Sequence, residues 1–284
     1  MPRLFYKLKQ THHFAMTYCA ALNLKDGLVF ASDSRTNAGV DHIATFRKMH
    51  LFQQPGERAI VLLNSGNLAT TQSVVSLLRA RTLHDGEHLL NISSLYDAAR
   101  LVGETVREVV DRDTGQQASN IDFGCSFLVG GQIRGEQPRL FNVYPQGNFI
   151  ESSTDTPFFQ IGESKYGKPV LDRVITPDTP LDEAAKCALV SMDSTMKSNL
   201  SVGLPLDLVV YEANRLETDK VVCIDSENPY YRMLHNTWGQ KLREVFDSLD
   251  DPVWDGAHTE TPLKIETGRH KALKKISRPE EKLI

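Results

Sequence analysis

Cysteine is scarce in this chain: four residues, Cys19, Cys125, Cys187 and Cys223, among 284. They are widely spaced inside apolar segments, and no export signal accompanies them. That argues against a disulfide framework and for reduced core residues. Long hydrophobic runs are also missing. No stretch of about 18 apolar residues occurs, so no membrane-spanning helix is expected. The opening residues, MPRLFYKLKQTHHFA, are basic but lack the apolar centre of a secretory signal. Positive charge is not in excess either: 32 Lys and Arg stand against 36 Asp and Glu, for a net charge of -4. No electrostatic case for a nucleic-acid partner remains. The expectation is a cytoplasmic protein with neither a membrane nor a nucleic-acid partner.

What is present has the composition of an ordinary globular protein, 40% hydrophobic and 24% charged. Two strand-like runs, TYCAALNL (17–24) and LVFASDSR (28–35), flank the hairpin signal KDG. A third run, IATFRKMHLF, and a fourth, AIVLLNSG, follow closely, and four strands in such succession predict an antiparallel sheet. Helical periodicity covers Leu68 to Ala80 and Leu95 to Val110. A second block of strands (DFGCSFLVGG, PRLFNVYP, NFIESS, FFQIG) precedes helical stretches at Tyr166–Val174 and Asp182–Ser198. The strands LDLVVYEA and KVVCID and a helix from Pro229 to Phe246 complete the order. Strands, helices, strands, helices, strands predict two packed sheets with helices on their outer faces. Beyond Asp250 the chain is polar and basic, with seven Lys and Arg against three Glu between Pro262 and Ile284. Residues 250–284 read as an extension.

Three motifs could carry chemistry. HDGEH (His84–His88) matches the H-x-x-E-H spacing of a zinc peptidase, which needs both histidines on one helical face. Gly86 in its middle and its place between two helical patterns favour a surface loop. GESKYGKP (Gly162–Pro169) has the spacing of a phosphate-binding loop, but Pro169 stands where Ser or Thr must hold Mg²⁺. The start of a helix is the better reading. Third, Thr17, Asp33 and Lys48 fall on three strand-like runs at intervals of sixteen and fifteen residues. Asp33 is in line with Val29 and Ala31, and Lys48 with Ala44 and Phe46. A lone charge among apolar neighbours is costly unless paired. An Asp33–Lys48 ion pair resolves both. Composition alone is satisfied by a structural salt bridge with Thr17 a bystander.

These residues nonetheless resemble the proteasome-type peptidases of the N-terminal-nucleophile class. A strand starting at Thr17, Asp33 in FASDSRT and Lys48 in FRKMHLF are similar to that family's nucleophile, acid and lysine positions. VLLNSGNLATTQSVV, FQIGESKYGKPVLD and LDEAAKCALVSMDSTMKSNLSVGLPLDLVVYE resemble its later segments, so the resemblance covers about Thr17 to Asp225. MTYCAALNLKDGLVFASDSRTNAGVD with NSGNLATTQ resembles most the bacterial Anbu-type subunits, relatives of the proteasome β-subunit and of HslV. The resemblance implies an α+β fold: a four-layer αββα sandwich of two antiparallel sheets flanked by helices. It implies a threonine-type endopeptidase inside a ring or spiral of its own copies, acting on peptides or unfolded protein. An ATPase unfoldase is an implied partner, and no metal or other cofactor is needed.

In that family the threonine works as residue one. Its own α-amine, with a pKa of about 7.7–8.0, can take the hydroxyl proton. Lys48 would favour the alkoxide, Asp33 would orient Lys48, and backbone N–H groups of the Asn64–Gly66 turn would form the oxyanion hole. Residues 1–16 must then be absent from the active form, leaving a peptidase domain over 17–249. Met16 before Thr17 is the ordinary substrate of initiator-methionine removal, so translation is expected to start there. The family's auxiliary serine and acid fall near Asn199, Ser201 and Val202; Ser201 supplies a hydroxyl, but Asn199 stands in place of the acid. Its other supporting serine falls at Glu163 or Ser164. These departures imply weak or unusual activity. The rival readings are an amidase for small amides using Cys19 or Thr17, and a catalytically silent assembly subunit.

Overall fold

The computed structural model describes residues 17–37, 43–114 and 122–252. The expectations for residues 1–16 and for the basic tail lie outside these residues. The hairpin forms where the sequence places it: β1 (Tyr18–Leu24) and β2 (Gly27–Asp33) pair antiparallel, Cys19 opposite Ser32 and Leu24 opposite Gly27. β10 (Phe158–Gly162) flanks β1, while β11 (Leu206–Glu212) and then β12 (Val221–Ile224) continue from β2. The second sheet runs in order β5 (Met49–Gln54), β6 (Arg58–Gly66), β7 (Cys125–Ile133), β8 (Arg139–Val143) and β9 (Phe149–Glu151).

Both faces of the central strands are apolar because both are covered. On the outer face of the first sheet, Ala20, Leu22 and Ala31 pack with Leu171 of α3 (Ser164–Val174) and Ala188 and Met192 of α4 (Leu181–Ser198). On the outer face of the second, Ile60, Leu62 and Val129 pack with Leu78 of α1 (Leu68–Arg81) and Val102 of α2 (Leu95–Thr114). Cys19, Phe30, Val61, Leu63, Leu128 and Val209 fill the space between the sheets. The layers therefore run helices, sheet, sheet, helices. This is the four-layer αββα sandwich.

Helix starts carry their own chemistry. Asn67 caps α1 by accepting the Thr70 N–H at 3.2 Å, and Ser94 before α2 accepts the Asp97 N–H at 3.1 Å. Asp182 and Glu183 in the first turn of α4 and Lys197 in its last suit the helix dipole.

Two expectations need correction. The first four strand-like runs do not make one sheet: β1 and β2 belong to the first sheet, β5 and β6 to the second. The third run is also broken. Its start forms β4 (Ile43–Thr45), paired with β3 (Arg35–Asn37) in a two-stranded ribbon, and strand structure resumes only at Met49. Phe46 to Lys48 carry the chain from one sheet to the other. The Phe46 N–H donates to Ser34 O at 2.9 Å, beyond β2, and Lys48 O accepts from the Asn64 N–H of β6 at 3.0 Å. Lys48 is thus a crossover residue, not a mid-strand one. The last element of the described chain is α5 (Pro229–Asp247), whose residues from Leu242 fall outside the main compact unit.

Candidate active site

Thr17 stands immediately before β1, Asp33 ends β2, and Lys48 immediately precedes β5. Pairing of β1 with β2 sets the first two side by side at one end of the first sheet. The crossover delivers Lys48 to the same place. All three are buried, with 2%, 0% and 7% of their surfaces exposed. Thr17 Oγ1 donates to Asp33 Oδ1, which also accepts the Tyr18 N–H at 3.1 Å. Asp33 Oδ2 lies 3.0 Å from Lys48 Nζ, and that ammonium donates to Arg35 O. The carboxylate thus holds the hydroxyl with one oxygen and meets the ammonium with the other. Burial pushes the Asp33 carboxyl above the usual carboxylate range, while Lys48 and the bonds from Thr17 and Tyr18 pull it back.

The nucleophile candidate is fixed from below as well. The Glu163 N–H donates to Thr17 O at 2.7 Å, and Gly162 adopts φ +80 to let that carbonyl in. A Cβ on Gly162 would lie 1.9 Å from Thr17 O. Gly162→Ala is therefore expected to cost at least about 2 kcal/mol, from left-handed backbone strain plus displacement of Thr17. Chemical denaturation checks this, and an unchanged midpoint would contradict the tight approach. Tyr18 is anchored by its hydroxyl to Ser191 Oγ of α4 at 2.7 Å and accepts from Gln160 Nε2. Gly167 leaves room for this junction, since a Cβ there would meet Ser191 Oγ at 2.2 Å. The sequence reading missed Tyr18, Gln160 and Ser191. The available signal was a serine within the apolar face of α4, at helical spacing from Cys187 and Ala188.

The remaining expected residues sit differently. Asn64 to Gly66 form the end of strand β6, paired with β7, rather than a turn. The Asn64 N–H is engaged by Lys48 O, so it cannot serve an oxyanion. Gly66 follows two residues later with φ +110, where a Cβ would strike Gly124 O at 2.5 Å. Ser201 lies in the turn after α4; its N–H is held by Asn199 Oδ1 at 2.9 Å, and Leu200 O of the same turn accepts from Arg35 Nη1 at 3.3 Å. The turn thereby touches the residue after Ser34, but among the contacts of the described residues none places Ser201 against Thr17. A pair absent from the expectations also supports this end of the sheet: Ser34 Oγ donates to the buried Asp207 carboxylate of β11 at 3.0 Å.

The other motifs resolve plainly. His84–His88 occupies bends and irregular chain between α1 and α2, with Glu87 paired to Arg100 at 2.5 Å. Among the described residues no group of three or more His, Cys, Asp or Glu side chains is arranged for a metal. The segment from Ser164 to Pro169 is already helix α3, and Lys168 is paired with Asp172 at 2.6 Å. Cys19 is fully buried between the sheets, donating to Asn64 O at 3.5 Å, and burial pushes its thiol pKa far up. A thiol so held is a poor nucleophile.

Asn64 links this centre to His50. Its Nδ2 donates to Lys48 O at 3.1 Å and lies 2.9 Å from His50 Nε2. Burial, helped by the Arg79 charge, lowers the His50 pKa from 6.5 to about 4. Between those values the unfolded chain binds the proton and the folded one does not. His50 thus contributes stability that is complete above about pH 6.5 and is lost as pH falls towards 4, on the order of 3 kcal/mol. Subtracting the stability–pH curve of His50→Gln from that of the unaltered protein should isolate this slope. A flat difference would contradict it.

The family model for "Proteasome subunit" matches residues 17–210. The solved structure "Anbu (ancestral beta-subunit) from Yersinia bercovieri" is 57% identical with a TM-score of 0.80, covering 84% of this chain and 99% of that one. "Helical Assembly of the Anbu Complex from Pseudomonas aeruginosa" is 55% identical with a TM-score of 0.81 over the same shares. Among curated relatives, proteasome subunit beta 2 of Pyrobaculum aerophilum is 24% identical over 201 residues, 70% of this chain and 91% of its own.

Proposed function

We propose, for a chain that belongs to the proteasome subunit family, that it hydrolyses peptide bonds with Thr17 as its N-terminal nucleophile. The observation that carries this reading is the buried three-way contact of Thr17, Asp33 and Lys48. The family match begins at residue 17, which is consistent with a working chain that starts there. The 1–16 segment is then absent from the active form.

The chemistry follows from the contacts. Joined to Met16, the Thr17 nitrogen is an amide without a basic lone pair. Once Thr17 is residue one, that nitrogen becomes an amine and can take the proton from Oγ1, directly or through a water. Oγ1 attacks the scissile carbonyl carbon, and the charge that develops on the carbonyl oxygen needs N–H donors, for which Gly66 is the remaining candidate. Collapse breaks the C–N bond, the ammonium proton passes to the departing amine, and an ester on Thr17 remains. Water, deprotonated by the same amine, hydrolyses that ester. Lys48 stabilises the alkoxide character of Oγ1 and Asp33 holds Lys48 in place.

The Pseudomonas relative forms a helical assembly, and we extend assembly from its own copies to this chain. Unfolded protein as substrate, a separate ATPase to deliver it, Ser201 as a supporting hydroxyl and a cytoplasmic location complete the reading. Among the described residues no helix is long and apolar enough to cross a membrane. The test is covalent labelling of protein beginning at Thr17 with a threonine-directed electrophile, located by peptide mass. Label on Thr17 together with peptide hydrolysis supports the reading. Large assemblies that never label would favour a silent assembly subunit, and turnover of small amides alone would favour an amidase.

A further inference from the structure

Beside the crossover lies a cavity of about 320 Å³ whose lining includes Phe46, His50, Asn64, Leu68, Thr71 and Arg79. It adjoins the centre just described through the backbone of Lys48: Phe46 and His50 of its lining lie two residues to either side of Lys48, and Asn64 Nδ2 donates to Lys48 O. Its lining carries two arginines, Arg47 and Arg79, and no carboxylate among the described residues.

The hydrogen-bond logic of His50 is unusual. Asn64 must present Nδ2 to Lys48 O, since the flipped amide would set two acceptors together. Its other N–H then points at His50 Nε2, 2.9 Å away, and that nitrogen accepts. In the neutral ring the proton is therefore on Nδ1. Yet Nδ1 faces Arg79 Nη2 at 3.3 Å, and a guanidinium has only donors. Two N–H groups thus converge at the cavity wall, and among the described residues no acceptor lies between them. A neighbouring carboxylate, with two oxygens and a negative charge, would satisfy both groups at once.

We infer that this cavity selects a carboxylate-bearing side chain, aspartate or glutamate, next to the bond presented to Thr17, through Arg79 and the Nδ1–H of His50. This rests on the peptidase reading for the identity of the ligand as a peptide. It does not rest on turnover for its test. Arg79 and His50 are specificity-determining residues here, and neither is needed for bond cleavage.

The experiment measures binding first. Short peptides acetylated and amidated at their ends, with Glu or Gln at one position, are titrated into the assembled protein with Thr17→Ala, so that nothing is cleaved. The Glu peptide is expected to bind about tenfold more tightly than the Gln peptide, the worth of a charge-assisted bond pair. Arg79→Ala, an exposed helix position whose change leaves the core intact, should erase the difference, and Arg79→Lys should restore part of it. Addition of the Glu peptide should shift the Nδ1 resonance of the His50 imidazole. Equal binding of both peptides, or a preference that survives in Arg79→Ala, overturns the inference. Hydrolysis by the Thr17 protein is scored separately. If the binding preference holds and no peptide is cleaved, the peptidase reading fails while the pocket stands.

Discussion

Thr17→Ala is expected to abolish peptide hydrolysis, by about a thousandfold or more, while leaving the fold in place. The fold should persist because the change removes one hydrogen bond from Asp33 Oδ1, which keeps the Tyr18 N–H, while Oδ2 keeps Lys48. That loss is about 1–2 kcal/mol, well within the stability of a domain with this much core. The rate effect has no such buffer, because among the described residues no other hydroxyl bonds to the Asp33 carboxylate that meets Lys48. A weak nucleophile removed from its activating groups takes the covalent route with it. Thr17→Ser keeps the hydroxyl and the hydrogen bond, so measurable turnover should remain. Protein that retains residues 1–16 should behave like Thr17→Ala, since its Thr17 nitrogen is an amide. Steady-state hydrolysis by the four proteins, with intact masses to define each N-terminus, reads the result. Full activity with the leader attached would remove the α-amine from the mechanism and leave Asp33, the group that does touch Oγ1, as the base to consider.

Much of this arrangement was legible in the chain itself. Apolar residues on both faces of TYCAALNL and LVFASDSR encode a covered sheet, and the helical spacing from Leu68 and from Leu95 encodes the layer on its partner. Thr17 and Asp33 come together through local hairpin pairing, so their sequence interval carried the information. Lys48 was identified by type, but its setting was not. IATFRKMHLF reads as one strand because nothing in its composition marks the crossover. Long-range bonds impose the break, from Phe46 to Ser34 and from Asn64 to Lys48. The junction of Tyr18, Gln160 and Ser191 was invisible for the same reason, since three elements far apart in sequence must first pack. His50, Asn64 and Arg79 likewise meet only across β5, β6 and α1. Local periodicity predicts elements, whereas polar networks that join layers depend on how the layers are stacked.

Lys48→Met separates two roles of the buried ion pair and carries the largest expected stability effect. Without the ammonium, Asp33 keeps a charge at 0% exposure with no opposite charge beside it, and Arg35 O loses its donor. Breaking such a pair costs about 3–5 kcal/mol. The cost must depend on pH, and its sign can be worked out. Asp33 already sits above its ordinary value in the folded protein, and removing Lys48 raises it further. A folded state with the higher pKa binds more protons than the unfolded one, so its stability falls as pH rises through that interval. The penalty should thus be smallest near pH 4 and should grow towards neutrality. Adding Asp33→Asn removes the orphaned charge while keeping an oxygen for the Thr17 hydroxyl and the Tyr18 N–H. The double variant is therefore expected to recover most of the lost stability at pH 7, a coupling that a double-mutant cycle by chemical denaturation measures directly. Hydrolysis should not recover, because the positive charge that favours the Thr17 alkoxide is still missing. Recovery of both would mean that Lys48 serves only to neutralise Asp33. Recovery of stability alone assigns the lysine to the chemistry, with Asp33 as the residue that makes its burial tolerable.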